Sequence, residues 1–186
     1  MSRSMLALAL LALAPACAST EESVPVDTQR AEDAQAGFEK IKSLAGDWAG
    51  MGGEESGMSM VEVRYRVTAA GSAVEETIMP GTDHEMVTMY HLDNDKLMLT
   101  HYCAAGNQPT MVGVPVRSKA GDVASIRFDF ARATNMASPG AGHMHAAEMV
   151  FESRNNLASK WTYWENGKAG HQANFQLTRK SRESSS

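Results

Sequence analysis

The sequence predicts an all-β protein, an antiparallel up-and-down β-barrel of about ten strands with a short N-terminal helix. Short runs rich in β-branched and aromatic residues follow one another after Trp48, separated by turn-forming Gly, Asn, Asp and Pro. No helical pattern that could serve as a crossover connection interrupts these runs. Neighbouring runs are therefore expected to pair antiparallel, and closing the sheet would remove its exposed edges.

The turn-forming residues indicate where each predicted strand begins and ends. Val61 and Val63 alternate with Glu62 and Arg64, which predicts a strand with one apolar face and one solvent-exposed polar face. Residues 133–142 form the longest predicted loop. The ten predicted strands cover 47–53, 58–68, 72–79, 84–92, 97–104, 110–117, 123–131, 143–153, 157–165 and 171–179.

The first 36 residues are predicted to lie outside the barrel domain. Residues 1–16 combine a basic start with a short apolar run, which is typical of a signal peptide. Ala-Pro-Ala-Cys17 resembles a bacterial lipobox, which implies lipidation of Cys17 and anchoring in the bacterial cell envelope. Cleavage at an Ala-x-Ala motif, giving a soluble secreted or periplasmic protein, is the alternative. Cys17 and the small, polar and acidic residues after it are assigned to a flexible tether, 17–36.

A short amphipathic helix should lead into the barrel. From Asp33 onward, Phe38 and Ile41 recur at helical spacing ahead of the first strand. The barrel domain is expected to span 37–180, with 181–186 as a disordered polar tail.

Composition limits the possible partners. The 186 residues suffice for one domain with a sizeable core. The formal net charge of −5, without a Lys/Arg cluster, argues against nucleic-acid binding. If Cys17 is lipidated, Cys103 lacks an intramolecular partner, so no disulfide is expected. The oligomeric state is left open.

The hairpin around Asp93-Asn94-Asp95 carries the first candidate site residues. With a two-residue turn, His84 and Tyr90 share a face with His101 and Cys103, because side chains alternate along each strand. A three-residue turn would move one of the two sets to the other face. The favoured register places three polar groups at one end of an apolar face.

Counting strands brings most histidines to one end of the barrel. In an up-and-down barrel, the starts of even-numbered strands and the ends of odd-numbered strands meet at one mouth, whereas His91 lies towards the other end. The candidate ligand-binding residues at this mouth are His84, His101, Cys103, His143, His145, His171 and Tyr90.

A metal site is an alternative use of these imidazoles. The His143-x-His145 spacing presents two rings on one face of a strand, as in metal sites of β-proteins. The competing interpretation is an exposed junction at which histidine is merely tolerated. The predicted metal set is His84, His101, His143 and His145. Zinc, copper and haem are the candidate cofactors, with no cofactor as the default.

The start of the first strand resembles a known signature. Gly46-x-Trp48 after a short helix is similar to the lipocalin and calycin signature, and Arg179 matches the basic residue that packs over the tryptophan in that superfamily. The chain is similar to bacterial lipocalin-like proteins of unassigned function. More distantly it resembles nitrobindin-type haem-binding barrels, although their C-terminal haem-ligand motif is not matched here.

These observations together predict a binding protein for a small apolar ligand, attached to the membrane through its lipid anchor. A second alternative is an enzyme that uses the mouth histidines as acid–base groups. Common enzyme motifs such as Gly-x-Ser-x-Gly, the phosphate-binding loop and His-Glu-x-x-His are absent from the sequence.

Overall fold

The computed structural model describes residues 26–54 and 56–181. Within these residues, one α-helix and a single turn of 3-10 helix at 69–71 accompany ten antiparallel strands that close into a barrel. Strands adjacent in sequence pair with each other, and the last strand pairs with the first. The predicted barrel with its preceding helix is confirmed. The elements are α1 (Val26–Lys42), β1 (Gly46–Glu54), β2 (Ser59–Thr68), β3 (Ala73–Ile78), β4 (Met86–Asp93), β5 (Lys96–Tyr102), β6 (Gln108–Arg117), β7 (Val123–Thr134), β8 (His143–Val150), β9 (Asn156–Glu165) and β10 (Lys168–Arg179).

Helix α1 begins earlier than the sequence predicted. It starts at Val26, so the part of the expected tether from 26 to 36 is helical. Ion pairs attach this first half to the barrel: Arg30 lies 3.7 Å from Asp95, and Asp33 lies 2.7 Å from Arg117. Ion pairs of this kind leave no apolar periodicity in the sequence. The spacing of apolar residues therefore did not predict the first half of the helix. The predicted signal peptide, Cys17 and the tail beyond 181 lie outside the described residues.

The second half of α1 closes one end of the barrel. Ala34, Phe38 and Ile41 are buried on one stripe of the helix. The helix also contacts β4, β5 and β6, whose turn and strand end lie at this end of the barrel. Within the described residues, no helix combines the length and the apolar content needed to cross a bilayer.

The register of the β4–β5 hairpin follows the two-residue prediction. Asp93 pairs with Lys96, which leaves Asn94-Asp95 as the turn. Thr88 consequently pairs with His101, and both side chains are buried. The mouth predicted from strand alternation is the end of the barrel opposite α1.

Candidate functional site

A row of polar side chains crosses the inner face of four neighbouring strands. Tyr65 on β2 pairs with Glu76 on β3, Glu76 pairs with Thr88 on β4, and Thr88 pairs with His101 on β5. All four side chains are at most 3% exposed. A closed barrel normally fills such positions with apolar residues, so this row is the most unusual feature of the interior.

Glu76 is the centre of this row. Its two carboxyl oxygens accept hydrogen bonds from the hydroxyls of Tyr65, at 2.6 Å, and Tyr90, at 2.7 Å. The Thr88 hydroxyl is a third group that favours the charged form of this carboxyl. Burial raises the pKa of Glu76, and these three hydroxyls partly offset that shift. Burial and the neighbouring carboxylate raise the pKa of both phenols well above the usual value, so they remain hydrogen-bond donors.

His101 continues the network from Glu76. Its Nδ1 lies 2.9 Å from the Thr88 hydroxyl. That hydroxyl has a single proton, so when it donates to Glu76 it must accept the Nδ1–H of His101. Burial lowers the pKa of His101 to about 4, which keeps the ring neutral at physiological pH. In that arrangement the imidazole carries its lone pair on Nε2, and its ring centre lies 4.8 Å from that of Trp161.

Sequence reasoning identified only part of this network. His101 and Tyr90 were predicted site residues, whereas Glu76, Tyr65 and Thr88 were not. The signal for Glu76 was present, because strict alternation of Val74, Glu76 and Ile78 puts the carboxylate on the same face as two apolar side chains.

A second cluster forms where β8 begins. His143 Nε2 lies 3.0 Å from His145 Nδ1, and His143 Nδ1 lies 3.0 Å from the carbonyl oxygen of Ala141. The His145 ring stacks between the rings of Trp164 and Phe130, with 4.1 Å and 4.3 Å between the ring centres. We call these four side chains, His143, His145, Phe130 and Trp164, the β8 cluster.

Hydrogen bonding fixes the tautomers in the β8 cluster. A carbonyl oxygen only accepts, so His143 carries a proton on Nδ1 and, when neutral, a lone pair on Nε2. His145 then donates from Nδ1 to that lone pair. Burial lowers the pKa of His145, and the charge of protonated His143 adds to the shift. The His143-x-His145 spacing predicted two rings on one face, and the structure brings them into contact, although the pairing of β8 with β9 shifts by one residue between Met144 and Ala146.

His171 belongs to a separate group at the mouth. Its ring stacks on Tyr163 at 4.4 Å, and its Nε2 lies 3.3 Å from Glu54. The pairing of β10 with β9 is irregular between Ala169 and Gln172, the stretch that contains His171. An open groove of about 560 Å³ lies beside this pair, lined by Glu54, Ser56, Gly170, His171, Gln172 and Asn174.

Two predicted site residues stand apart from these groups. His84 is exposed in the turn before β4, where its backbone N–H donates to the Thr82 hydroxyl. Cys103 is half-buried with a free thiol just beyond β5. Across the described residues, no three His, Cys, Asp or Glu side chains lie close enough together to hold a metal ion. The predicted metal set is therefore not assembled, and only His143 and His145 meet.

Asn107 provides a buried acceptor near the mouth. It is 4% exposed, and its amide donates to the carbonyl oxygen of Gly142 at 2.8 Å. Among the described residues, its Oδ1 is the fully buried side-chain atom that lacks a hydrogen-bond partner. An open acceptor of this kind is available to a donor group on a ligand or to a water molecule.

A further groove lies at the opposite end of the barrel. It measures about 1040 Å³ and opens beside Arg154, Arg179 and Lys180. Arg179 already donates to backbone carbonyls there, and Lys180 lies 2.8 Å from Glu62. This groove is accordingly a less suitable ligand site than the mouth.

The comparisons with known proteins define the fold only. No family model and no curated protein matches this chain. Rv2717c from M. tuberculosis matches in structure with a TM-score of 0.52 at 15% identity, over 77% of this chain and 97% of that one. A protein of unknown function from the DUF3598 family of Nostoc punctiforme gives a TM-score of 0.49 at 8% identity, over 75% of this chain. The match covers 48% of that second protein's length. The fold is consistent with a lipocalin-like barrel.

Proposed function

We propose that this chain is an exported, lipid-anchored binding protein whose barrel takes a small, largely apolar ligand through the mouth. The observation that carries the proposal is the buried row from Tyr65 to His101. It ends in a neutral imidazole whose free nitrogen is an acceptor inside the barrel.

The energetic cost of the row supports a functional role. Burying a carboxyl group and an imidazole is unfavourable even when both are hydrogen-bonded, and apolar replacements of similar volume are often neutral or stabilising. Buried ionisable groups with shifted pKa values concentrate at functional sites. Glu76 and His101 both have shifted pKa values and belong to the same network.

The chemistry of the mouth suggests the kind of ligand. His101 Nε2 and Asn107 Oδ1 are both acceptors, so the polar end of the ligand should carry a hydrogen-bond donor such as a hydroxyl group. Met79, Met86 and Met144 are partly buried against the core. Flexible thioether side chains can rearrange around an apolar ligand at little cost.

A matched pair of probes tests both parts of the proposal. 1-Decanol carries a donor, whereas decyl methyl ether has nearly the same apolar surface without one. Binding of each probe should be followed through Trp161 fluorescence and native mass spectrometry. The wild-type protein should bind the alcohol more tightly than the ether, and His101→Phe should remove that preference.

His91→Ala serves as the control, because His91 lies towards the other end of the barrel. This variant should keep the wild-type preference. If the wild type binds neither probe, and no apolar molecule is extracted from protein isolated from its own cells, the binding proposal is wrong.

A further inference from the structure

We propose that His143 and His145 chelate one Cu(II) ion at the mouth of the barrel. This site uses other residues than the proposed apolar-ligand site, and within the described residues the β8 cluster makes no hydrogen bond to the row that ends at His101.

The spacing of the two nitrogens fits a copper ion. His143 Nε2 and His145 Nδ1 are 3.0 Å apart. For bonds of about 2.0–2.1 Å, two ligand nitrogens are about 3.0 Å apart at a right angle and about 3.4 Å apart in a tetrahedron. The observed separation matches the right-angled arrangement of tetragonal Cu(II), and each ring has to turn so that its lone pair points at the ion instead of at the other nitrogen.

The surroundings fix the tautomer of His143 and the plane of the His145 ring. The Ala141 carbonyl accepts the Nδ1–H of His143 and leaves Nε2 free, which is the usual second contact of a metal-binding histidine. Stacking between Phe130 and Trp164 holds the plane of His145. The ion would replace the proton between the two nitrogens, and His145 would then carry that proton on Nε2.

The number of protein ligands selects the metal. Structural zinc sites use four protein ligands and catalytic sites use three, whereas the described part of this chain brings only two imidazoles together here. Cu(II) has the highest affinity among divalent first-row ions for a given nitrogen site, and water can complete its tetragonal geometry. Cu(II) should therefore bind more tightly than Zn(II).

Titration of the tag-free, full-length chain with copper sulfate tests the site. Electron paramagnetic resonance should show one Cu(II) per chain, with hyperfine coupling to two nitrogens. Trp164 fluorescence should be quenched with the same stoichiometry, because its ring stacks on a ligand imidazole. His143→Ala should weaken binding by about tenfold or more, since one of two donor atoms is lost. Zinc should compete only weakly.

Three further variants make the result decisive. Trp164→Phe retains an aromatic ring against His145, so the copper signal should remain while the fluorescence response disappears. His91→Ala should bind copper as the wild type does. If His171→Ala abolishes binding and His143→Ala does not, or if saturable binding is absent below millimolar copper, the proposal is overturned. Circular dichroism of each variant separates loss of the site from loss of the fold.

Discussion

The guanidinium group of Arg179 lies over the indole ring of Trp48, 4.3 Å from the ring centre. The two residues are directly paired where β10 closes the barrel against β1. Arg179 also donates to the carbonyl oxygens of Ser43, at 2.9 Å, and Ala45, at 2.8 Å. The indole N–H of Trp48 donates to the carbonyl oxygen of Leu44 at 2.8 Å. This contact therefore joins the first strand, the last strand and the segment between α1 and β1.

The contact predicts a large stability loss on truncation. Trp48 is fully buried, so Trp48→Ala should lower the free energy of unfolding by roughly 3–5 kcal/mol. Arg179→Ala should cost less, about 1–3 kcal/mol, because it removes stacking and hydrogen bonds but little buried volume. Urea unfolding followed by circular dichroism measures both changes. Arg179→Lys is the control that keeps the charge; equal stability of the Lys variant and the wild type would contradict a role for the planar guanidinium.

Thr88→Val should destabilise the protein and change the tautomer of His101. Valine has a similar shape but cannot accept the Nδ1–H of His101 or bond to Glu76. Leaving the buried Nδ1 of His101 without its partner should cost about 1–3 kcal/mol. Nitrogen-15 NMR of the imidazole reports the tautomer directly. Thr100→Val removes a hydroxyl that faces Thr110 instead, and it should leave the His101 spectrum unchanged.

The stability contributed by His101 should depend on pH. The pKa of His101 is lowered from 6.5 to about 4 by burial, so between these values the unfolded chain takes up a proton that the folded chain does not. This contribution is complete above pH 6.5 and is lost as the pH falls towards 4. At roughly 1.4 kcal/mol per pH unit it amounts to about 3 kcal/mol.

His101→Gln isolates this effect, because Glu76 titrates in both proteins and largely cancels in the difference. The raised pKa of Glu76 acts in the opposite direction, since it favours the folded state as the pH falls. Unfolding free energies of the wild type and the variant should be compared from pH 8 to pH 4. Parallel curves across this range would show that folding does not lower the pKa of His101.

Local patterns in the sequence were sufficient to predict the barrel and the hairpin register. Alternation along β2 and the Asn94-Asp95 turn depend on neighbouring residues only, and both are confirmed. The Trp48–Arg179 contact came from a resemblance of three residues and is likewise present.

The details of the mouth could not be predicted in the same way. The irregular strand pairings beside His145 and His171 change which side chains meet, and no local residue pattern marks them. The stacking of Phe130 on His145 depends on the packing of separate strands. The early start of α1 was missed because its ion pairs connect residues far apart in sequence, such as Asp33 and Arg117.

Cys17→Ser should release the protein from the membrane fraction. The expectation rests on the resemblance of the residues before Cys17 to a lipobox. Two or more acyl chains on the mature N-terminus would provide stable anchoring, which one chain alone does not. Cell fractionation and mass spectrometry of the N-terminal peptide measure the outcome. A soluble wild type with an unmodified residue 17 would show that the lipoprotein assignment is wrong.

Gly37→Ala should destabilise the protein even though alanine favours helices. In an exposed helix position, this change stabilises by about 1 kcal/mol. At Gly37, however, a Cβ would lie 2.7 Å from Cγ of Pro115 and 3.0 Å from Cδ2 of Leu97, so α1 would have to move away from the barrel. Overpacking of this kind costs about 1–3 kcal/mol, which outweighs the gain in helix propensity. Urea unfolding should therefore give a lower midpoint for Gly37→Ala than for the wild type.

Ala31→Gly, at an exposed position of the same helix, is the matched control. Its free energy of unfolding should fall by about 1 kcal/mol through helix propensity alone. A more stable Gly37→Ala variant would mean that α1 does not pack closely on Pro115 in solution.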